Sequence, residues 1–301
     1  MTKEKKLKAV SYGEVLWDVF ENEKKIGGAP LNVALRMKSL GGDVAMISCV
    51  GNDADGEAII EHIQNVGLDT STISKTHEFP TGLVQVTLNE SGSASYVINY
   101  PSAWDKIVLT EIARQKVQEA DVLIFGSLVC RDAVSRTTLE QLLESNVYKV
   151  FDVNLRKPNY TYAIIEKLML TADFIKLNDE EIIEITSAMH SPFASIEENM
   201  VFISQLANNK AVCVTKGKDG ASLLWKGKMY YSKGYPITVV DTVGAGDSFL
   251  ATLITSLLTD VDPQEAIHLA CAMGALVAGS AGANPEISSE TIYDFMQKNT
   301  H

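Results

Sequence analysis

The chain has 301 residues, 46% of them hydrophobic and 21% charged, which suits a globular protein with a sizeable core. A formal net charge of −12 and a pI near 4.9 exclude bulk binding to nucleic acid or to an anionic membrane surface. They do not exclude an anionic ligand, because a nest of backbone N–H groups binds phosphate even in an acidic protein.

In chain order, residues 8–13 read as a first strand, and residues 15–26 add further strand-like segments. Residues 30–40 read as a helix, with Pro30 near its start and Gly41-Gly42 just past its end. Residues 44–50 form a buried strand, and residues 57–66 carry Ile59, Ile60, Ile63 and Val66 at helical spacing before Gly67. Residues 81–88 and 94–100 alternate apolar and polar side chains around Asn89-Glu90-Ser91-Gly92-Ser93, which predicts a hairpin. Strands follow at 122–125, 149–153, 174–177 and 212–215 with helical segments between them, and the apolar runs 249–258 and 267–281 read as buried helices. Continuous apolar strands alternating with helices predict a mostly parallel sheet covered on both faces. Ligand sites in such folds gather at the C-terminal ends of the strands. The hairpin breaks this pattern and reads as a small projecting sheet, suited to a lid, a dimer surface or both. No long linker or repeat divides the chain, so one domain, 1–301, is expected, with the lid drawn from about 14–27 and 79–103.

The charged start, residues 1–8, predicts no signal peptide. No apolar run reaches the roughly 20 residues of a membrane helix. Cys49, Cys130, Cys213 and Cys271 each sit in an apolar run without metal-ligand spacing, which predicts buried reduced thiols and a cytoplasmic protein.

The most informative segment is Asp241-Thr242-Val243-Gly244-Ala245-Gly246-Asp247-Ser248-Phe249, where small residues run into a buried helix. A helix start leaves N–H groups unpaired and partly positive, and glycines let an anion approach them. Asp247 inside that turn either satisfies the helix dipole or acts as a base on whatever meets the anion. A Walker A loop needs Lys where Asp247 stands, and the dinucleotide fingerprint needs a third glycine that is missing here.

Other motifs carry two readings each. Gly27-Gly28-Ala29-Pro30-Leu31-Asn32-Val33-Ala34 is a tight turn into a helix, or a close backbone approach to a polar ligand with Asn32 hydrogen-bonding it. Asp18 is a surface carboxylate or a partner for sugar hydroxyls. Asp152-Val153-Asn154-Leu155-Arg156 is a capping turn, or a polar cluster whose Arg grips phosphate or hydroxyls. Asn178 and Glu181 have capping-box spacing, or hold the waters of a Mg²⁺ ion. Thr215-Lys216-Gly217-Lys218-Asp219-Gly220 is a hairpin turn or a nucleotide-phosphate loop.

Taken together, these segments resemble the ribokinase-like (PfkB-type) carbohydrate kinases, and within them the bacterial fructokinases, over nearly the whole chain. The resemblance rests on the Gly27–Ala34 and Asp241–Asp247 signatures, in order, with Asn178, Glu181 and the Val214–Gly217 strand end between them. It implies a ribokinase-like three-layer α/β/α fold with a mostly parallel central sheet and a small β-sheet lid. It implies an ATP- and Mg²⁺-dependent sugar kinase that pairs as a homodimer through its lids.

By position, Asp247 is then the catalytic base, the N–H groups of Gly244, Ala245 and Gly246 form the anion hole, and Arg156 lies near the sugar or the transferring phosphate. Asp18, Gly28, Asn32, Asn99 and Asn154 fall to the sugar. Thr215, Gly217 and Gly220 fall to the nucleotide, and Asn178 and Glu181 to Mg²⁺ through water. A K⁺ site is implied between Asp241, Val243, Ser280 and Gly282. The Gly27–Ala34 form and the Asp152–Arg156 cluster tilt the acceptor toward fructose; ribose, 2-keto-3-deoxygluconate and a nucleoside remain alternatives, as does a non-catalytic sensor. Three residues depart from the family pattern: Val243 for Thr, Lys216 for Leu, and Val153 for the Pro usual in fructokinases.

Overall fold

The computed structural model describes residues 6–21, 23–88, 94–208 and 210–299; the expected turn at Asn89–Ser93 lies outside them. The first half runs β1 (Lys8–Tyr12), β2 (Leu16–Val19), β3 (Lys24–Gly27), α1 (Ala29–Ser39), β4 (Asp43–Gly51), α2 (Ala54–Asn65), β5 (Ile73–Thr76), β6 (Gly82–Leu88), β7 (Ala94–Ile98), α3 (Glu111–Glu119), β8 (Val122–Gly126) and α4 (Ala133–Leu142). The second half runs β9 (Tyr148–Asp152), α5 (Tyr162–Thr171), β10 (Phe174–Asn178), α6 (Asp179–Ala188), α7 (Ile196–Leu206), β11 (Ala211–Thr215), β12 (Ala221–Trp225), β13 (Lys228–Ser232), α8 (Ala245–Leu258), α9 (Pro263–Ala278) and α10 (Ser289–Lys298).

A nine-stranded sheet in the order β13-β12-β11-β10-β9-β8-β1-β4-β5 forms the body. Its pairs are parallel from β11 to β5, and β12 and β13 add an antiparallel edge. Alternate residues of each body strand serve opposite faces. Val10, Leu123, Phe125 and Phe151 pack with the apolar stripes of α3 to α7. Ala9, Val44, Ile124 and Val150 pack with those of α1, α2, α8 and α9. The strands are therefore apolar on both sides, as a doubly covered sheet requires. All four cysteines are free and buried, and no helix among the described residues is long and apolar enough to cross a membrane.

A second sheet, β3-β2-β6-β7, is built from the two segments expected to form the lid. Asp18 sits within its β2 strand, across from Lys25 and Val84. Strand order reverses at β1, which lies between β8 and β4. That reversal opens a crevice beyond the C-terminal strand ends, where ligands bind in such sheets.

Candidate active site

Helix α8 begins beside this crevice. Its N-cap is Gly244, with φ +75° and no side-chain cap. A Cβ there would lie 2.6 Å from the side chain of Ala283, so both the left-handed backbone and the close approach of the 280–284 loop demand glycine. Of the three amides expected in the anion hole, that of Ala245 turns to the Thr242 carbonyl at 3.3 Å.

Asp247, half-buried in the first turn of α8, accepts from Asn32 Nδ2 at 2.8 Å, and Asn284 Nδ2 donates to Asn32 Oδ1 at 2.8 Å. The chain Asn284–Asn32–Asp247 thus orients the carboxylate from two sides of the crevice. Burial, with help from the charge of Asp152, pushes the Asp247 carboxyl up to about 6; Asn32, Lys176 and Arg156 work against that rise. A carboxylate held near neutrality is suited to take a proton.

Lys176 interrupts the apolar strand β10. Its Nζ lies 3.0 Å from Asp152 Oδ1 and 3.6 Å from where a Cβ on Gly246 would stand. Burial opposes its charge, but Asp152, Glu181 and Asp247 hold it firmly protonated. A fixed cation therefore lies directly beneath the start of α8. Arg36 of α1 is buried nearby, donating to Ser248 Oγ at 3.1 Å and to the Pro285 carbonyl at 3.0 Å. It ties α1, α8 and the loop that bears Asn284 together.

On the lid side, Gly27 leaves room for the Asp18 carboxylate to lie over it. The Asp18 carboxyl is pushed up to about 6, chiefly by burial. Gly28 has φ +111°, and a Cβ on it would strike the Glu14 carbonyl. The Asn99 carbonyl accepts from Arg131 Nη2 at 2.6 Å. Asn154 adopts φ +39°, a backbone state a non-glycine residue rarely holds outside functional or tight-turn positions. Arg156 is exposed at the rim and donates to its neighbour's carbonyl, Leu155 O, at 3.0 Å.

Asn178 and Glu181 form the reciprocal capping box of α6: Asn178 Oδ1 accepts from Glu181 N at 2.7 Å, and Glu181 Oε2 from Asn178 N at 2.8 Å. Glu181 Oε1 also accepts from Leu155 N at 2.8 Å, which joins this cap to the 152–156 cluster. The capping reading therefore holds, and only the remaining lone pairs are free to meet water on a Mg²⁺ ion. Among the described residues no cluster of three or more His, Cys, Asp or Glu is poised to cage a metal.

Residues 216–220 close the β11–β12 hairpin, with Lys216 N donating to Gly220 O at 2.7 Å. Gly220 is walled in by the 232–234 backbone, a structural duty, whereas Gly217 faces open space. Asp241 Oδ1 accepts from Val243 N at 3.0 Å and Oδ2 from Gly282 N at 3.3 Å. The two loops expected around K⁺ are thereby held side by side, and their carboxylate and carbonyl oxygens are hard donors of the right kind.

Four residues of this neighbourhood escaped the sequence reading: Glu14, Arg36, Lys176 and Asn284. Lys176 and Arg36 carried a signal, a cation on an otherwise buried face. Asn284 carried none, because its partner is 252 positions away.

Residues 2–290 match the family described as pfkB family carbohydrate kinase. A sugar kinase from Pyrococcus horikoshii, solved in complex with ATP, superposes with a TM-score of 0.80 at 28% identity, covering 92% of this chain and 94% of that one. Fructokinase-2 of Solanum lycopersicum is 27% identical, with 92% of each chain covered. An ATP-dependent ribose-1-phosphate kinase of Halopiger xanaduensis is 25% identical over 97% of this chain and 99% of its own.

Proposed function

Because the chain belongs to the pfkB family of carbohydrate kinases, we propose that it transfers the γ-phosphoryl group of ATP to the 6-hydroxyl of D-fructose. The observation that carries the transfer chemistry is the Asn284–Asn32–Asp247 chain at the glycine-bounded start of α8. The fructose assignment draws on the relatives named as fructokinases and on the Gly27–Ala34 and Asp152–Arg156 segments.

In this reading the sugar lies between the lid and Gly28, with Asp18, Asn32, Asn99 and Asn154 on its hydroxyls. Asp247 takes the proton of the attacking hydroxyl. The amides of Gly244, Ala245 and Gly246 receive the charge that develops on the transferring group, with Lys176 beneath them and Arg156 at the rim. Little covalent chemistry falls to the protein, so positioning and charge stabilisation carry the rate. Thr215, Gly217 and Gly220 border the nucleotide. Asn178 and Glu181 would hold Mg²⁺ through water, and the ion would neutralise phosphate charge when bound. Asp241, Val243, Ser280 and Gly282 would hold K⁺. Closure of the lid sheet excludes water from competing for the phosphoryl group.

The exposed Val97 on the edge strand β7 supports pairing of two copies through their lids; a monomer by light scattering at micromolar concentration counts against that. Buried, reduced thiols agree with a cytoplasmic setting.

The deciding assay is ADP release from MgATP with fructose, tagatose, ribose, 2-keto-3-deoxygluconate and adenosine, with and without K⁺. Strong preference for fructose sustains the assignment, and another preferred acceptor replaces it. Binding of sugar and ATP without turnover of any acceptor favours a sensor.

A further inference from the structure

At the point where strand order reverses, a small cavity lies between the ends of β1, β8 and β9 and the first turn of α1. Glu14, Pro30, Ser127, Asp152 and Asn154 are among the residues that line it. Two of these are buried carboxylates with an oxygen that lacks a hydrogen-bond partner: Glu14 Oε2, in a residue 3% exposed, and Asp152 Oδ2, in a residue 4% exposed. Buried acceptors are rarely left unpaired, because each forfeits its hydration without return. Asp152 keeps its other oxygen on Lys176 at 3.0 Å, so its ionic pairing is already met on one side. Among the described residues Glu14 has no such ion pair; the influence of Arg156 and Arg131 on it is electrostatic. Arg131 is committed to Asp105 at 2.7 Å.

We propose that Glu14 and Asp152 form a subsite that accepts a hydrogen bond from a neutral hydroxyl of the sugar, and that it makes the enzyme choose neutral polyols over acceptors carrying a carboxylate or a phosphate. The inference rests on the sugar-kinase reading of this crevice, not on fructose being the acceptor. A hydroxyl donates to one of the unpaired oxygens and is paired in return. An anionic group in the same place offers no proton and faces the oxygens of Glu14 and Asp152, with Asp247 within electrostatic reach of both. Burial supports this reading, since charge–charge repulsion is screened least where water is excluded. The backbone that carries Glu14 is packed against the sugar-binding turn, where Gly28 approaches the Glu14 carbonyl closely.

The test compares kcat/KM of the wild-type enzyme at saturating MgATP for fructose, tagatose and ribose against 2-keto-3-deoxygluconate and ribose 1-phosphate. The best neutral acceptor is expected to lead the best anionic one by at least about a hundredfold, in line with sites that pair a substrate hydroxyl. An anionic acceptor that equals or beats the neutral sugars overturns the proposal. If ribose or tagatose leads instead of fructose, the fructose assignment falls and the subsite stands.

Glu14→Gln and Glu14→Ala then report on the residue itself. At pH 8, where Glu14 is mostly ionised, the KM for the preferred sugar is expected to rise roughly ten- to a hundredfold, the range for a hydrogen bond to a charged group, while the KM for ATP stays within about twofold. A Glu14→Gln enzyme with a normal melting transition and a sugar KM within about twofold of wild type overturns the proposal. If neither variant folds, the wild-type comparison decides it alone.

Discussion

The hydrogen-bond chain from Asn284 through Asn32 to Asp247 makes a quantitative prediction about pH. With its carboxyl near 6, Asp247 is about nine-tenths ionised at pH 7 and about one-tenth ionised at pH 5, so its share of kcat/KM falls roughly tenfold over that interval. Asn284 does not touch Asp247; it holds the Asn32 amide so that Nδ2 faces the carboxylate. Asn284→Ala frees that amide to rotate. Losing the whole bond to the charged carboxylate removes about 1.5–3 kcal/mol, which is about one to two pH units at 1.36 kcal/mol each. The acid limb of kcat/KM for the sugar is therefore expected to move upward by as much as that, with the KM for ATP unchanged. The measurement is a pH series from 4.5 to 9 on both enzymes, with melting curves at each pH. Because Glu14, pushed up to about 7, and Asp18, pushed up to about 6, titrate in the same region, the pair is best compared in a Glu14→Gln background, where the Asp18 titration is common to both enzymes and only the shift between them is read. An acid limb that stays put in a stably folded Asn284→Ala enzyme refutes the claim that this chain sets the base.

Asp247→Asn is expected to lower kcat by at least about a hundredfold, the low end for a general base, with ATP affinity nearly intact by calorimetry; near-normal turnover removes Asp247 from that role. Glu14→Gln is expected to stabilise the fold at alkaline pH. Burial raises the folded carboxyl from 4.5 to about 7, so the folded state holds its proton longer than the unfolded chain, and stability falls as pH rises from about 4.5 to 7. The full cost, about 3 kcal/mol, is present above pH 7, so melting should rise by several degrees at pH 8 and not at pH 4. Gly244→Ala is expected to cost at least about 1–2 kcal/mol from its left-handed backbone plus the clash with Ala283, and to abolish turnover. Gly217→Ala, in open space at φ +53°, is expected to cost about 1–2 kcal/mol from the same left-handed backbone, with any functional loss in the KM for ATP and kcat largely intact.

The fold was legible because its strands are buried on both faces and its helices are punctuated by proline and glycine. Residues 122–125, 174–177 and 212–215 fall within the observed strands β8, β10 and β11. The edge strands β5 and β13 escaped, since a strand paired on one side needs no long apolar run. The site was legible where chemistry sits on local motifs, as at Asp247 and at the Asn178–Glu181 cap. Sequence spacing left the cap's two readings open, and the hydrogen bonds show the capping one to be real. Glu14 and Asn284 were hidden for a different reason. Their significance comes from a cavity and from a partner across the fold, and neither leaves a periodic or local trace.

Asn32 and Asn284 lie near opposite ends of the chain, yet the setting of Asp247 depends on both. A growing polypeptide can complete the sugar turn, the lid and most of the sheet before the segment that orients the carboxylate has been synthesised. The chain from Asn284 to Asp247 therefore closes only when the segment around residue 284 has joined α1 and the start of α8.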